Sequence, residues 1–257
     1  MNDELHDYFG EPVAATYDAG VAEMFSPEIL EAEVAFLASQ ANGGEIHEPG
    51  MPAGRILELG IGTGRIALPL IERGIDVAGI DLSTAMVQRL KEKPGGADIE
   101  VAIGDFATTR VGGEFGLVVL VFNTIMNLTT QDAQVACFRN AAAHLELGGR
   151  FVIDVLVPGL HSLPPGETIR PFDVTAEHLG FDEYTDLANQ QQSSHHYWID
   201  GDKVRVNVVP FRFVWPSELD LMAQLAGMRL VERYEDWDRS PFTSESTRNI
   251  SVWEKVV

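Results

Sequence analysis

The chain reads as a doubly wound, mostly parallel α/β sheet that carries a β-rich insertion. Three patterns predict this. Apolar strand and helix segments alternate from residue 53 to residue 156, the rhythm of β-α units in a parallel sheet. One segment, Leu117-Val118-Val119-Leu120-Val121-Phe122, is apolar at every position, as a strand covered by helices on both faces requires. A short apolar strand at 55–59 runs straight into Gly60, Gly62 and Gly64 and then an apolar-periodic helix. That turn stands at the carboxyl end of a first strand, where open α/β sheets bind ligands.

Taken in order, residues 1–52 form a helical cap. Ser26-Pro27-Glu28 opens a helix with a hydroxyl cap and proline in its first turn. Leu30, Val34 and Leu37 supply its apolar face, and Asn42-Gly43-Gly44 ends it. The Pro/Gly-containing run to Gly54 is a surface connection. Residues 53–157 form the core, with strands at 55–59, 76–81, 99–103, 115–122 and 149–156 and helices at 64–72, 84–91 and 130–144. Beyond 156 the rhythm changes. Residues 158–214 contain Pro158, Pro164, Pro165 and Pro171 and read as an antiparallel insertion over the carboxyl edge of the sheet. There Val204, Val206 and Val208 alternate with Lys203, Arg205 and Asn207, so one face should be covered and one wet, after a hairpin turn at Asp200-Gly201-Asp202. Residues 215–257 restore the core pattern with a helix at 217–226, ended by Gly227, and strands at 229–236 and 249–254.

Composition narrows the function. The 257 residues carry 18 Lys and Arg against 39 Asp and Glu, a formal charge of −21. Nucleic-acid affinity rests on cations that neutralise phosphates, so this balance argues against nucleic-acid partners and against anionic membranes. It favours neutral or cationic small molecules. The single cysteine, Cys137, allows no internal disulfide and reads as a packing residue in a helix. The start, Met-Asn-Asp-Glu-Leu-His-Asp, lacks the layout of a signal peptide, and no apolar run approaches the ~20 residues a bilayer span needs. The expectation is a cytoplasmic protein; a homo-oligomer stays open.

The glycine loop carries the sharper information. A dinucleotide fingerprint is G-x-G-x-x-G; here Gly60, Gly62 and Gly64 alternate, and Arg65 fills the place of the last glycine. A G-x-G-x-G loop with an acid, Glu58, before it resembles the first motif of the class I S-adenosylmethionine (SAM)-dependent methyltransferases. Asp81 ends the second strand and opens Asp81-Leu82-Ser83-Thr84-Ala85-Met86, which is similar to the D-x-S-x-x-M pattern of small-molecule members. Gly104-Asp105-Phe106 follows the third strand and resembles the family's G-D site. The resemblance covers residues 53–156 closely and implies a seven-stranded sheet whose last two strands are an antiparallel hairpin. It implies SAM as methyl donor and S-adenosylhomocysteine (SAH) as product. Glu58, Gly60, Gly62, Gly64 and Arg65 would then surround the methionine part, and Asp81 would accept the ribose hydroxyls. Leu82 and Met86 would wrap the adenine, with Gly104, Asp105 and Phe106 beside its amine. Phe122 would close the cofactor site from the fourth strand.

The acceptor side is less marked. Tyr17-Asp18 matches the Tyr-Asp of an amino-terminal helix whose tyrosine closes over the cofactor, and Tyr8 and Phe9 would form the outer lid. Asn123, a polar residue ending an apolar strand, needs a partner and is a candidate at the reacting centre, with Asn127 and Leu128 nearby. No Asp/Asn-Pro-Pro-Tyr/Phe stands there, so the amino-methylating DNA enzymes are not matched. His195 and His196 are candidate bases, yet neighbours on a strand point to opposite faces, so no metal is expected. Tyr197 and Arg212 are candidate acceptor contacts. A small-molecule acceptor, methylated on an amine, is the first expectation, because no His–Asp dyad that an alcohol would need is evident. The Tyr-bearing start and β-insertion also look similar to bacterial N-methyltransferases of amino sugars and other natural products. O-methylation with a histidine base, a non-catalytic SAM-binding accessory protein and a nicotinamide-dependent reductase are the alternatives, the last disfavoured by Arg65.

Overall fold

In the computed structural model, residues 8–20, 26–45 and 53–257 are described; the readings of the first seven residues and of 46–52 lie outside them. The strands are β1 (Ile56–Leu59), β2 (Val77–Asp81), β3 (Glu100–Ile103), β4 (Phe115–Leu120) and β5 (Leu145–Leu156), then β6 (Ile169–Val174), β7 (His178–Asp186), β8 (Gln191–Asp200) and β9 (Lys203–Arg212), and finally β10 (Met228–Tyr234) and β11 (Arg248–Lys255). The helices are α1 (Glu11–Ala14), α2 (Tyr17–Gly20), α3 (Pro27–Ala41), α4 (Ala67–Glu72), α5 (Thr84–Glu92), α6 (Gln131–His144) and α7 (Pro216–Leu225).

Seven strands form the main sheet in the order β10-β11-β5-β4-β1-β2-β3. β1 to β5 pair in parallel, while β11 runs antiparallel to both β5 and β10. The expected alternation sorts side chains to two covered faces. Leu57, Ile80, Val118, Phe151 and Trp253 meet α6 and α7, and Phe138 of α6 makes edge contacts with Phe151 and Trp253 at 5.1 and 5.4 Å. Ile56, Val77, Leu117, Val119 and Val152 meet α3, α4 and α5. Cys137 is fully buried on the α6 side, as read from its helix. Capping differs between helices. Ser83 and Thr130 accept backbone N–H bonds at the starts of α5 and α6, whereas Ser26 makes no side-chain bond at the start of α3.

β6 to β9 form a separate four-stranded antiparallel sheet. Asp200 pairs with Lys203 across the two-residue turn expected there. The burial of β9 differs from the expectation. Val204, Val206 and Val208 remain 58%, 51% and 41% exposed, while Val209 is buried. The strand alternates as read, but over its first half neither face is covered, since Lys203 and Arg205 are exposed as well as Val204 and Val206; burial comes only at Val209 and Arg212, one on each face. Arg205, on the face read as wet, lies 4.1 Å over the Trp198 ring.

Candidate functional site

The strand order reverses between β1 and β4, and the crevice at their carboxyl ends is where ligands bind in open α/β sheets. A cavity of about 430 Å³ lies there, within the range of roughly 300–1,000 Å³ of small-molecule sites. Its inner wall is the glycine loop, held by Asp81. The Asp81 carboxylate accepts the Gly62 N–H at 2.7 Å and the Ser83 N–H at 2.8 Å, so one side chain joins the loop to the start of α5. The loop glycines serve different ends. A Cβ on Gly60 (φ 70°) would stand 2.8 Å from Thr124 Cγ2, and one on Gly64 (φ 85°) only 2.3 Å from Leu90 Cδ1. Gly64 is thus a packing glycine and does not line the cavity, whereas Gly60 and Gly62 do.

Leu82, Met86, Asp105 and Phe106 line the cavity as the motifs imply. Asp105 accepts the Ala107 N–H at 2.8 Å, and Asn140 of α6 donates to the Phe106 carbonyl at 2.7 Å, which pins the loop after β3. Gly104 stays outside; its N–H donates to the Asp81 carbonyl. The amino-terminal segment closes one side with Tyr8, Phe9 and Tyr17. It is tied down at separate points: Ser83 Oγ donates to the Phe9 carbonyl at 2.9 Å, Thr63 Oγ1 donates to Asp18 at 2.6 Å, and Glu11 pairs with Arg89 at 2.6 Å. Burial pushes the Tyr17 phenol up to about 12, with Asp81, Asp18 and Glu58 adding to the shift and Arg65 opposing it. Tyr17 therefore keeps its proton.

Beneath the loop lies a buried ionic layer. Glu58 shares the sheet face of Ile56 and points toward α3. Burial raises its pKa to about 8; Glu33 and Asp81 add to this, while Arg65 and the Ala67 N–H oppose it. Its Oε2 has no hydrogen-bond partner among the described residues. Arg65, which the motif places at the cofactor, instead makes two bonds to the fully buried Glu33, at 2.6 and 3.0 Å, and stacks 5.4 Å over the Phe122 ring. Phe122 and Asn123 also depart from expectation. Both have positive φ, 60° and 61°, and line a smaller cavity of about 200 Å³ with Asp154, Leu156 and Arg248. Asp154 holds this turn by accepting the Phe122 N–H at 3.1 Å while bound to Arg248 at 2.6 and 2.9 Å. The Asn123 side chain finds its partner in the Leu156 N–H at 2.7 Å. A sharp turn at this strand end redirects the chain, so Thr124, Asn127, Leu128 and Thr129 form the wall instead.

The insertion contributes Pro210 of β9 to the cavity; His195, His196, Tyr197 and Arg212 do not line it. His195 stacks on Phe181 at 4.6 Å with Nε2 3.3 Å from a Glu183 oxygen. His196 points to the other face and stacks with His178 and Trp198. Tyr197 stacks on Phe181. Arg212 is closed into a buried network with Gln134, Gln190 and Glu218, the last at 2.7 Å, and so joins the insertion to α6 and α7. A buried guanidinium needs a carboxylate, and Glu218 supplies it. Sequence reasoning missed Thr124, Thr129 and Pro210 and saw Ser83 only as a cap; these residue types carry no chemical signature of a site. Among the described residues no His/Cys/Asp/Glu group could hold a metal ion, and no helix is long and apolar enough to cross a membrane.

A family model for a methyltransferase domain matches residues 56–149. The CcbJ methyltransferase from Streptomyces caelestis superposes with a TM-score of 0.83 at 31% identity, covering 98% of this chain and 100% of that one. The chain belongs to the SAM-dependent methyltransferases. The methyltransferase is also 27% identical over 255 residues to the cypemycin N-terminal methyltransferase of a Streptomyces species, covering 96% of this chain and 97% of the relative. At 20% identity it shares its fold with SAM-bound CalS10, an amino pentose methyltransferase from Micromonospora echinaspora (TM-score 0.69, 93% of this chain and 96% of that one). The cavity of the methyltransferase suits this cofactor. Gly62 presents open main chain, with Met86 Cε the nearest side-chain atom at 3.5 Å from a Cβ position. Two carboxylates, Asp81 and Asp105, flank the apolar Met86 and Phe106.

Proposed function

We propose that this methyltransferase methylates the nitrogen of a small-molecule amine, of the kind found in natural products. The observation that carries the reading is the wall opposite the glycine loop. Among the described residues it is built from Tyr8, Phe9, Asn127, Leu128, Thr129 and Pro210, and none of these is an imidazole. An unactivated alcohol needs a positioned base; an amine needs only to shed its ammonium proton to water before its lone pair attacks. The named activity of the cypemycin relative, at an amino terminus, supports nitrogen as the acceptor atom.

The bound cofactor supplies an electrophilic methyl group on a sulfonium. The work of the chain is to seat, orient and dehydrate, since proximity supplies much of the barrier reduction in such a displacement. Asp81 would hold the ribose hydroxyls, Met86, Leu82, Asp105 and Phe106 would hold the adenine, and Gly60 and Gly62 would lie along the methionine part. Tyr17, protonated and tied over the loop through Asp18, closes the lid near the reacting atoms. The core at 53–157 and the completing segment 215–257 carry this site, and the insertion at 158–214 walls the acceptor side through Pro210.

A second reading, O-methylation, draws on His195, which shares the sheet face of Pro210 and lies near Glu183. Incubation with SAM and matched panels of amines and alcohols, read by mass, separates the two. Amines should gain a methyl group and His195→Gln should leave turnover intact. Labelling confined to alcohols, lost in His195→Gln, would overturn the amine reading.

A further inference from the structure

β9 carries the wall residue Pro210 and is the last strand of its sheet. β8 pairs with one of its edges, and among the described residues no strand pairs with the other. The register says which backbone groups face that open edge. The Phe213 N–H bonds the Gln190 carbonyl at 3.0 Å, and Asp200 pairs with Lys203 across the hairpin turn. In an antiparallel ladder every second residue turns its N–H and C=O to the partner, and the residues between turn theirs away. Lys203 and every second residue to Phe211 therefore bond β8, whereas Val204, Val206, Val208, Pro210 and Arg212 face outward.

The two ends of this edge differ. At Arg212 the outward carbonyl accepts from Gln134 Nε2 at 3.1 Å. The same amide donates to the Ile125 carbonyl at 3.3 Å, inside the turn Thr124–Asn127 that walls the cavity. From Val208 back to Val204 the side chains are exposed, and no described residue bonds the outward backbone. The open edge thus stops where the acceptor wall begins, with Pro210 at the boundary. An exposed edge of this kind is a template for an added strand. Its valines continue across the sheet into Tyr197 and Ile199 of β8 and Leu179 of β7, so side chains placed opposite them are best apolar. Direction follows from the cavity. β9 runs from Val204 to Pro210 toward it, over about 20 Å at roughly 3.3 Å per residue, and a strand antiparallel to β9 has its amino terminus at the Pro210 end.

We infer that the open edge of β9 binds the acceptor as an added antiparallel strand, and that the methylated amine is the α-amino group of an extended peptide. The inference rests on the reading of nitrogen as the acceptor atom. A parallel strand would bring a carboxyl terminus to the cavity, which offers no amine. Backbone pairing at Val208, Val206 and Val204 fixes direction and register, and the first residues of the peptide enter the cavity past Pro210 and Thr129.

Two measurements on the whole protein test it, with methyl transfer from SAM read by mass. The first uses a peptide of alternating valine and serine, about eight residues long so that it spans the edge. It should be methylated at its amino terminus at least about tenfold more efficiently, in kcat/KM, than the dipeptide amide of its first two residues. Backbone N-methylation of alternate residues from the third onward should lower that efficiency about tenfold for one set of nitrogens and less than about twofold for the other, since only one set faces β9. The second uses Val206→Pro, which removes an outward N–H and no bond to β8. It should leave SAH binding and dipeptide turnover unchanged and bring the long peptide down to the level of the dipeptide. Equal efficiency for long and short peptides, or equal effects of the two methylated sets, overturns the inference, and neither result depends on the variant folding. So does a dimer, seen by sedimentation, that Val206→Pro dissociates while the long peptide keeps its advantage, because the edge would then hold a second copy. Labelling of alcohols alone would sink the nitrogen reading, whereas methylation of amines without regard to peptide length sinks this inference only.

Discussion

Glu58→Gln tests the buried acid under the glycine loop. In the folded chain, burial holds the Glu58 carboxyl at about 8 rather than its ordinary 4.5. Below pH 4.5 both folded and unfolded chains carry the proton, and the group is silent. Between 4.5 and 8 the unfolded chain ionises and the folded chain does not, so stability falls as pH rises. Above 8 both are ionised and the loss is complete. At about 1.4 kcal/mol per pH unit, that window bounds the loss at roughly 5 kcal/mol, and relaxation of the Arg65–Glu33 pair reduces it to on the order of 2–4. Glutamine is neutral throughout. The variant should therefore match the wild type near pH 4.5 and exceed it at pH 8, by roughly 5–15 °C in Tm at about 2–4 °C per kcal/mol for a chain of this size. Thermal unfolding without cofactor, followed by circular dichroism from pH 4.5 to 8.5, reads this directly. A stability difference that does not vary across that range would refute the argument, because it would mean that Glu58 ionises normally in the folded chain.

Asp81→Ala should weaken SAH binding by roughly a hundredfold or more in calorimetry, since charge-assisted hydrogen bonds contribute about 1.5–3 kcal/mol each and the loop loses its tie to α5. Gly64→Ala should destabilise the fold by roughly 2–4 kcal/mol in urea titration, because its Cβ would meet Leu90 at a positive φ. Asp154→Ala should release the Phe122-Asn123 turn, moving Thr124 from Gly60 and weakening SAH binding by about tenfold, or ~1.4 kcal/mol. Adding Asn123→Gly, which removes the cost of positive φ there, should recover most of the affinity; failure to recover it in a folded double variant would show that the turn stores no such strain.

Local chemistry explains which elements were legible. The strands at the core carry apolar runs of the right length, and Asp81 and Asp105 follow them directly, so register in a parallel sheet carries both to one edge. The loop after β4 shows the opposite case. Two successive positive-φ residues turn Phe122 and Asn123 aside, and their placement depends on Asp154 and Arg248, which lie far along the chain. The alternation of β9 was legible, but not that cover would reach only its second half, at Val209 and Arg212, since alternation does not say what packs on either face.

By itself the sequence determined the sheet, the glycine turn and the acids that border it, because each follows from backbone sterics and apolar period within a few residues. Tertiary structure alone decided the acceptor wall and the fate of the charges. Arg65 and Arg212 turned inward to Glu33 and Glu218 because a buried guanidinium must find a carboxylate, and only the folded chain determines which carboxylate is within reach. That choice left the cavity wall without a cation.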